Sequence, residues 1–474
     1  MATTYPRTPT FFAGGKAPRF ALAGFWFLNV LVVAGLLFYA GLNTPHGSIT
    51  LQLSPEKMAS ILGGSDAGSS LNAALDQLKN GTLSPAWVWV LNLWPPGMVW
   101  LEGAILKFSP FDFGVSFALV VALVWGTALT LVCWPFLRGY RSLVGILLVE
   151  LLILGTSPFQ SWMFDESLFY ADGLAAAFLV IAVAILAHRS WARGPIHLWI
   201  RDGVLSGLAF AAVMYFRSSY QLVPWAMGGL LIILLVLALL RRKKANVQWL
   251  LRQCLILGVV LGSVGLMLQP YITYLAQTQN RTTMVVTEDL VFAGIWRAPQ
   301  DKVPAWVTYS GGTVGCDVDP QRCAELYALR IAGNEVSQAE YRASFVNSVL
   351  KHPDRYVSER LSLVTRQWQA DESAAYSASP NLNPAQGTFY FVMLLGALVA
   401  SALLARKGNF AVLLLPAIVI AVALPMAVSG VEARYFIPLK MLALLAPMLL
   451  LMARTSPKDA GVEKTFDAPP HDDA

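Results

Sequence analysis

Four stretches of this chain set acids and arginines beside long apolar runs. GSDAGSSLNAAL puts Asp66 at the head of a short helical pattern. SPFQSWMFDESLFYADG carries Asp165, Glu166 and Asp172, MYFRSSYQ carries Arg217, and VEARYFIP carries Glu432, Arg434 and Tyr435. Ionisable groups at the edge of a hydrocarbon layer are costly unless paired or hydrated, so they are candidates for function. Carboxylates alone would suit a cation path. Carboxylates with two arginines suit a substrate that bears a phosphate and must lose a proton: the guanidinium grips phosphate bidentately, and the carboxylate takes the proton. Each group also has a plainer role open to it. Asp66 is placed to be the N-cap of its helix. Asp165 and Glu166 favour the positive end of the next helix dipole. Arg217 and Arg434 suit interfacial anchoring. Glu150, in LLVELLIL, and Asp172 read as hydrogen-bonding groups between helices, and His188, His197 and Lys107 as surface or anchor residues.

These groups need elements to hold them. The chain has 474 residues, 56% hydrophobic and only 13% charged, with a mean hydropathy of +0.57. So few charges point to a polytopic membrane protein and not to a soluble core. The net charge of +6 falls largely in short loops between apolar runs, which reads as membrane topology and not as nucleic-acid binding. Bilayer-length runs at about 20–42, 113–136, 142–160, 167–187, 203–220, 222–240, 250–270, 388–405, 410–428 and 435–453 predict an all-α protein of about ten spans. Basic residues mark every second loop: Arg7, Lys16 and Arg19, then Arg138 with Arg141, Arg189 with Arg193, RRKK at 241–244, Arg406 with Lys407, and Arg454. Both termini on the cytoplasmic side satisfy all of them. The divisions expected are a cytoplasmic N-terminus at 1–19, spans one to seven at 20–270, an outer segment at 271–387, spans eight to ten at 388–453, and a disordered cytoplasmic tail at 454–474.

Two large polar segments lie on the outer side: 271–387, and about 43–94 within a first outer loop reaching to 112. Both exceed ordinary connectors and are expected to fold into helices. SQAEYRASFVNSVL and DRYVSERLSLVTRQW have helical spacing, with His352-Pro353 between them. Asp66 is followed by a predicted helix through Lys79 that stops at Gly81, and NLWPPGMVWLEG predicts a short interfacial helix. Cys133 and Cys254 fall in apolar runs. Cys316 and Cys323, in GCDVDPQRCAEL, predict a local disulfide if their segment faces an oxidising compartment. Asp66, Asp165 and Glu166 supply oxygen ligands suited to Mg²⁺, Mn²⁺ or Ca²⁺, but no spacing demands a metal.

The order of these features resembles the GT-C glycosyltransferase superfamily, in the branch of protein O-mannosyltransferases and the lipid A aminoarabinose transferase. The features are one helix, an outer loop of the form D-x4-L-x6-L-x2-G from Asp66 to Gly81, WPPG, an acidic second outer loop, GLAF…FR ending in Arg217, HPDRY at 352–356, and E-x-RY-x-x-P from Glu432 to Pro438. The similarity covers about 20–453. It implies a sugar donor on a polyprenyl phosphate and an acceptor that is a protein, a lipid or a glycan. It places the catalytic acid/base role on Asp66, brings Asp165 or Glu166 into the site, and sets an arginine, Arg217 or Arg434, on the donor phosphate. Glu432 and Tyr435 are further site candidates. The setting it implies is a bacterial inner membrane with the site facing the periplasm. A transporter or flippase for a lipid-linked sugar is the main alternative, although the chain has no matching halves. An O-antigen-type polymerase or ligase is another, for which His352 is the only histidine in the late outer loop.

Overall fold

The computed structural model describes residues 17–43, 54–63, 65–137, 143–156, 171–191, 195–240, 244–280, 295–296, 299–303, 311–370, 382–426 and 433–455. Among the described residues every regular element is a helix, apart from one isolated bridge between Ala370 and Leu382. In chain order the α-helices are α1 Ala17–Asn43, α2 Pro55–Leu62, α3 Asp66–Asn80, α4 Pro85–Leu93, α5 Gly97–Phe108, α6 Phe113–Pro135, α7 Leu143–Leu154, α8 Ala171–Trp191, α9 Ile196–Phe216 and α10 Leu222–Leu240. They continue as α11 Lys244–Gln279, α12 Val314–Val318, α13 Pro320–Ile331, α14 Gln338–Lys351, α15 Pro353–Gln369, α16 Pro384–Arg406, α17 Leu414–Met426, α18 Ile437–Ala443 and α19 Ala446–Thr455.

The chain is an all-helical, multi-pass membrane protein. Among the described residues eight helical stretches are long and apolar enough to cross a membrane: Ala21–Ala40, Phe113–Pro135, Ala171–Arg189, Ile196–Phe216, Leu222–Leu240, Leu250–Thr278, Pro384–Arg406 and Ala433–Arg454. The two further runs that hydropathy reads as spans, at 142–160 and 410–428, form shorter apolar helices at Val144–Leu154 and Phe410–Leu424 in the described residues. At ~1.5 Å per residue these described stretches are shorter than the ~30 Å hydrocarbon core, and residues 138–142, 157–170 and 427–432 beside them lie outside the described ones. A second difference is α11, which continues to Gln279, past the predicted limit at 270, with Pro270 inside it.

Helix α8 is the centre of the bundle, packed against α6, α9 and α18. Its run of alanines at 175–177, with Leu174 and Leu179, is completely buried, because small side chains let neighbouring helices approach closely. Helix α10, by contrast, turns Ile232, Ile233 and Leu239 outward. At the C-terminal end of α8, Arg189 Nε donates to Asp202 Oδ2 at 2.5 Å across to α9. His188 Nε2 lies 2.7 Å from the Leu131 carbonyl oxygen at the same end. Asp172 is at the other end of α8, so the ends of this helix hold two separate polar clusters.

The segment after α11 has a small core of its own, formed by Ile295, Trp296, Cys316, Cys323, Leu326 and Tyr341. Helices α14 and α15 meet at His352-Pro353. Ser337 caps α14 by accepting the Glu340 N–H at 3.2 Å, and Pro353 opens α15. Cys316 and Cys323 are disulfide-bonded, while Cys133 and Cys254 are buried free thiols. Closing so short a loop restrains the unfolded chain by about 2–3 kcal/mol. Replacing both Cys316 and Cys323 by alanine is therefore expected to speed amide hydrogen exchange through 311–351 in the purified full chain and leave α8 and α9 protected. Unchanged exchange there would separate the disulfide from the stability of this segment.

Candidate functional site

The site forms where four chain elements end at one level: the start of α3, the start of α8, the end of α9, and the 3₁₀ turn Ala433–Phe436 that leads into α18. Local sequence places each of them. Ser65, not Asp66, is the N-cap of α3; its hydroxyl accepts the Gly68 N–H at 3.1 Å. Of the two roles open to Asp66 from sequence, this removes the plain N-cap. Asp66 is the first helical residue, and its carboxylate is free of the capping contact. The helix stops at Gly81, in the left-handed region at φ +75°, where glycine carries no steric penalty.

Two glycines bring the backbones together. A Cβ at Gly68 would lie 2.3 Å from the Gly63 carbonyl oxygen, so the tight return from α2 into α3 admits no side chain there. A Cβ at Gly97 would lie 2.4 Å from the Tyr215 carbonyl oxygen. The glycine of WPPG thus lets α5 begin directly against the end of α9, two residues before Arg217. Tyr271 on α11 donates from its hydroxyl to the Leu91 carbonyl at 2.8 Å, holding the α4–α5 turn from the other side. Tyr215 stands between Trp100 and Tyr271, with ring centroids 5.2 and 6.3 Å away. Such an aromatic belt suits the level of the membrane interface.

The polar groups form a chain of alternating charge. Arg434 Nη2 donates to Asp66 Oδ2 at 2.9 Å, with the arginine side chain 7% exposed and the aspartate 29%. Arg217 Nε donates to Asp172 Oδ1 at 2.6 Å. The Tyr435 ring joins the two pairs, its centroid 4.9 Å from the Arg217 guanidinium carbon and 5.7 Å from that of Arg434. Burial works hardest against the Arg217 charge and Arg434 adds to it, but Asp172, Tyr435 and Asp66 together outweigh them and hold its pKa above the ordinary arginine value. Asp66 Oδ1 makes no hydrogen bond among the described residues, and the buried Arg217 Nη2 has no partner among them either. Between α3, α4, α5, α8 and α9 lies a cavity of about 50 Å³, with Asp66, Ser70, Trp94, Asp172 and Arg217 on its wall. That space holds roughly three waters.

Of the residues singled out from sequence, Asp66, Arg217, Arg434 and Tyr435 come together, and Asp172 joins them as the partner of Arg217. Asp165, Glu166 and Glu432 lie outside the described residues. Glu150 is on α7, where Cys133 is its neighbour, and His188 belongs to the opposite end of α8. Lys107 lies over the Phe108 ring at 5.2 Å. Among the described residues no three or more His, Cys, Asp or Glu gather to hold a metal ion. Glu102 on α5 was not legible as a site group. It is completely buried behind Ser70, whose Oγ is 3.2 Å from Glu102 Oε1. Its only signal in the sequence is an acid inside the apolar stretch GMVWLEGAILKF. The chain matches no family model, no curated protein and no solved structure.

Proposed function

We propose that the chain is an integral membrane glycosyltransferase that moves a sugar from a polyprenyl-phosphate donor to a hydroxyl acceptor. One observation carries this reading: a carboxylate with an open oxygen and a buried arginine with an open N–H face one cavity at the end of a membrane bundle. The fold is taken as GT-C-like. The alternation of basic loops, with both termini cytoplasmic, turns the cavity to the periplasmic face of a bacterial inner membrane.

In this reaction the acceptor oxygen forms a bond to the anomeric carbon, and the bond from that carbon to the phosphate oxygen breaks. The polyprenyl phosphate leaves with the electron pair. Asp66 Oδ1 takes the acceptor proton and passes it to water, while Arg434 holds Oδ2 and so fixes the plane of the carboxylate. Arg217 donates to the departing phosphate oxygens as their charge grows, in a site where few waters screen it. Asp172 keeps its guanidinium oriented. A sugar needs more room than about 50 Å³, so donor binding widens the cavity. The acceptor, be it a protein, a lipid or a glycan, approaches from the aqueous side. A divalent cation, if one takes part, would draw on Asp165 or Glu166 together with Asp66. Membrane lipids surround the bundle, and no role for nucleic acid is proposed.

A single displacement inverts the anomeric centre. Purified protein in detergent, given radiolabelled polyprenyl-phosphate sugar and a cell-envelope acceptor extract, is expected to yield a product of inverted configuration. A product that retains the donor's configuration, or no transfer at all, would overturn this mechanism. Vesicle-to-vesicle movement of the intact donor without transfer would favour a flippase instead.

A further inference from the structure

We infer that Glu102 is a neutral carboxylic acid that donates its proton to Ser70 Oγ, and that this bond sets the spacing between the Asp66 helix and the helix seated beside Arg217. The inference rests on the transfer reaction proposed above for its role, and on geometry and burial for its protonation. Ser70 Oγ is 2.9 Å from the Ala67 carbonyl oxygen and 3.2 Å from Glu102 Oε1. A serine hydroxyl has one hydrogen, and a carbonyl only accepts. The shorter contact, to Ala67, takes the serine hydrogen, so the contact with Glu102 is a hydrogen bond only if Glu102 provides the proton.

The surroundings agree. Glu102 is 0% exposed, and among the described residues its Oε2 has no hydrogen-bond partner and no lysine, arginine or histidine forms an ion pair with it. A buried carboxylate without a cation or a full set of donors is strongly disfavoured, and such a group keeps its proton instead. Burial holds the Glu102 carboxyl well above the usual carboxylate range.

Position supplies the role. Ser70 is one helical turn from Asp66 on α3, and both line the cavity. Glu102 is on α5, whose first residue, Gly97, is seated against the backbone of Tyr215, two residues from Arg217. The Ser70–Glu102 bond therefore joins the element bearing the base to the element abutting the phosphate-binding arginine. Glu102 is a positioning residue and touches no substrate.

The test uses purified full-length wild type, Glu102→Gln, Glu102→Met and Ser70→Ala, checked for monodispersity. The Gln amide donates to Ser70 as a neutral acid does, so Glu102→Gln is expected to turn over within about twofold of wild type. Glu102→Met is expected to lose up to about 10²-fold in kcat with little change in donor KM, the size of effect that a small misplacement of catalytic groups produces. Infrared difference spectroscopy at neutral pH supplies a readout independent of activity: a protonated-carboxyl C=O component that wild type and Ser70→Ala share and both Glu102 variants lose. Loss of activity in Glu102→Gln equal to that in Glu102→Met would make the acid a reactant and overturn the inference. Absence of the infrared band from wild type would overturn it as well. If wild type transfers no sugar yet shows the band, the transfer reading and the positioning role fall, while the neutral acid stands.

Discussion

Asp66→Asn is expected to slow sugar transfer by about 10²–10⁴-fold, the usual worth of a positioned general base, and to leave folding and donor binding intact. The two halves of this expectation have separate causes. Folding is spared because Ser65 provides the cap of α3, so the substitution leaves the helix start untouched. The contact with Arg434 is spared because an asparagine Oδ1 can accept the same guanidinium N–H that Asp66 Oδ2 accepts at 2.9 Å. Chemistry is lost because an amide cannot take a proton at neutral pH. The measurement is single-turnover loss of radiolabelled sugar from the polyprenyl-phosphate donor, alongside donor binding by the same preparation. Full activity in Asp66→Asn would reduce Asp66 to the structural partner of Arg434 and move the base to Asp165 or Glu166. Loss of donor binding together with activity would instead assign the Asp66–Arg434 pair to holding the donor.

Hydropathy and turn chemistry are local, and the features they govern were legible. The eight long apolar helices, the Gly81 stop and the α14–α15 break at His352-Pro353 all follow from windows of a few residues to about twenty. At 142–160 and 410–428 the described residues cover only part of each predicted span, as the apolar helices Val144–Leu154 and Phe410–Leu424. The plain N-cap role open to Asp66 belongs instead to its neighbour Ser65. Serine and aspartate at 65 and 66 are both good caps, so residue type alone does not choose between them. Pairing was out of reach. Asp66 meets Arg434 across 368 positions, and Arg217 meets Asp172 across 45; composition can nominate these residues without matching them. Glu102 stayed hidden because its burial depends on what packs over α5, which a single amphipathic stretch does not encode.

Arg217 is expected to respond to substitution in two stages that separate its structural work from its chemical work. Arg217→Met alone leaves Asp172, whose side chain is 3% exposed, as a buried charge without its cation. Breaking a buried pair in this way costs about 3–5 kcal/mol, so the single variant is expected to unfold at lower temperature and to bind poorly for that reason alone. Arg217→Met combined with Asp172→Asn removes both charges and should recover most of that stability, since neutral groups of similar shape often replace a buried pair without loss. The double variant then isolates the chemistry. It lacks the N–H groups that would hold the donor phosphate, each charge-assisted hydrogen bond being worth about 1.5–3 kcal/mol, so its Kd for polyprenyl phosphate is expected to rise by about 10–100-fold. The rate of transfer should fall further than the affinity, because charge on the phosphate is greater as the bond breaks than in the bound donor. Arg217→Lys should fall between wild type and the double variant, since an ammonium keeps the charge but loses the planar fork. The measurements are thermal unfolding of each variant, displacement of labelled polyprenyl phosphate, and single-turnover transfer. A double variant that is stable and still binds polyprenyl phosphate as tightly as wild type would leave Arg217 with only Asp172 to serve, and the phosphate would pass to Arg434 on the far side of the Tyr435 ring.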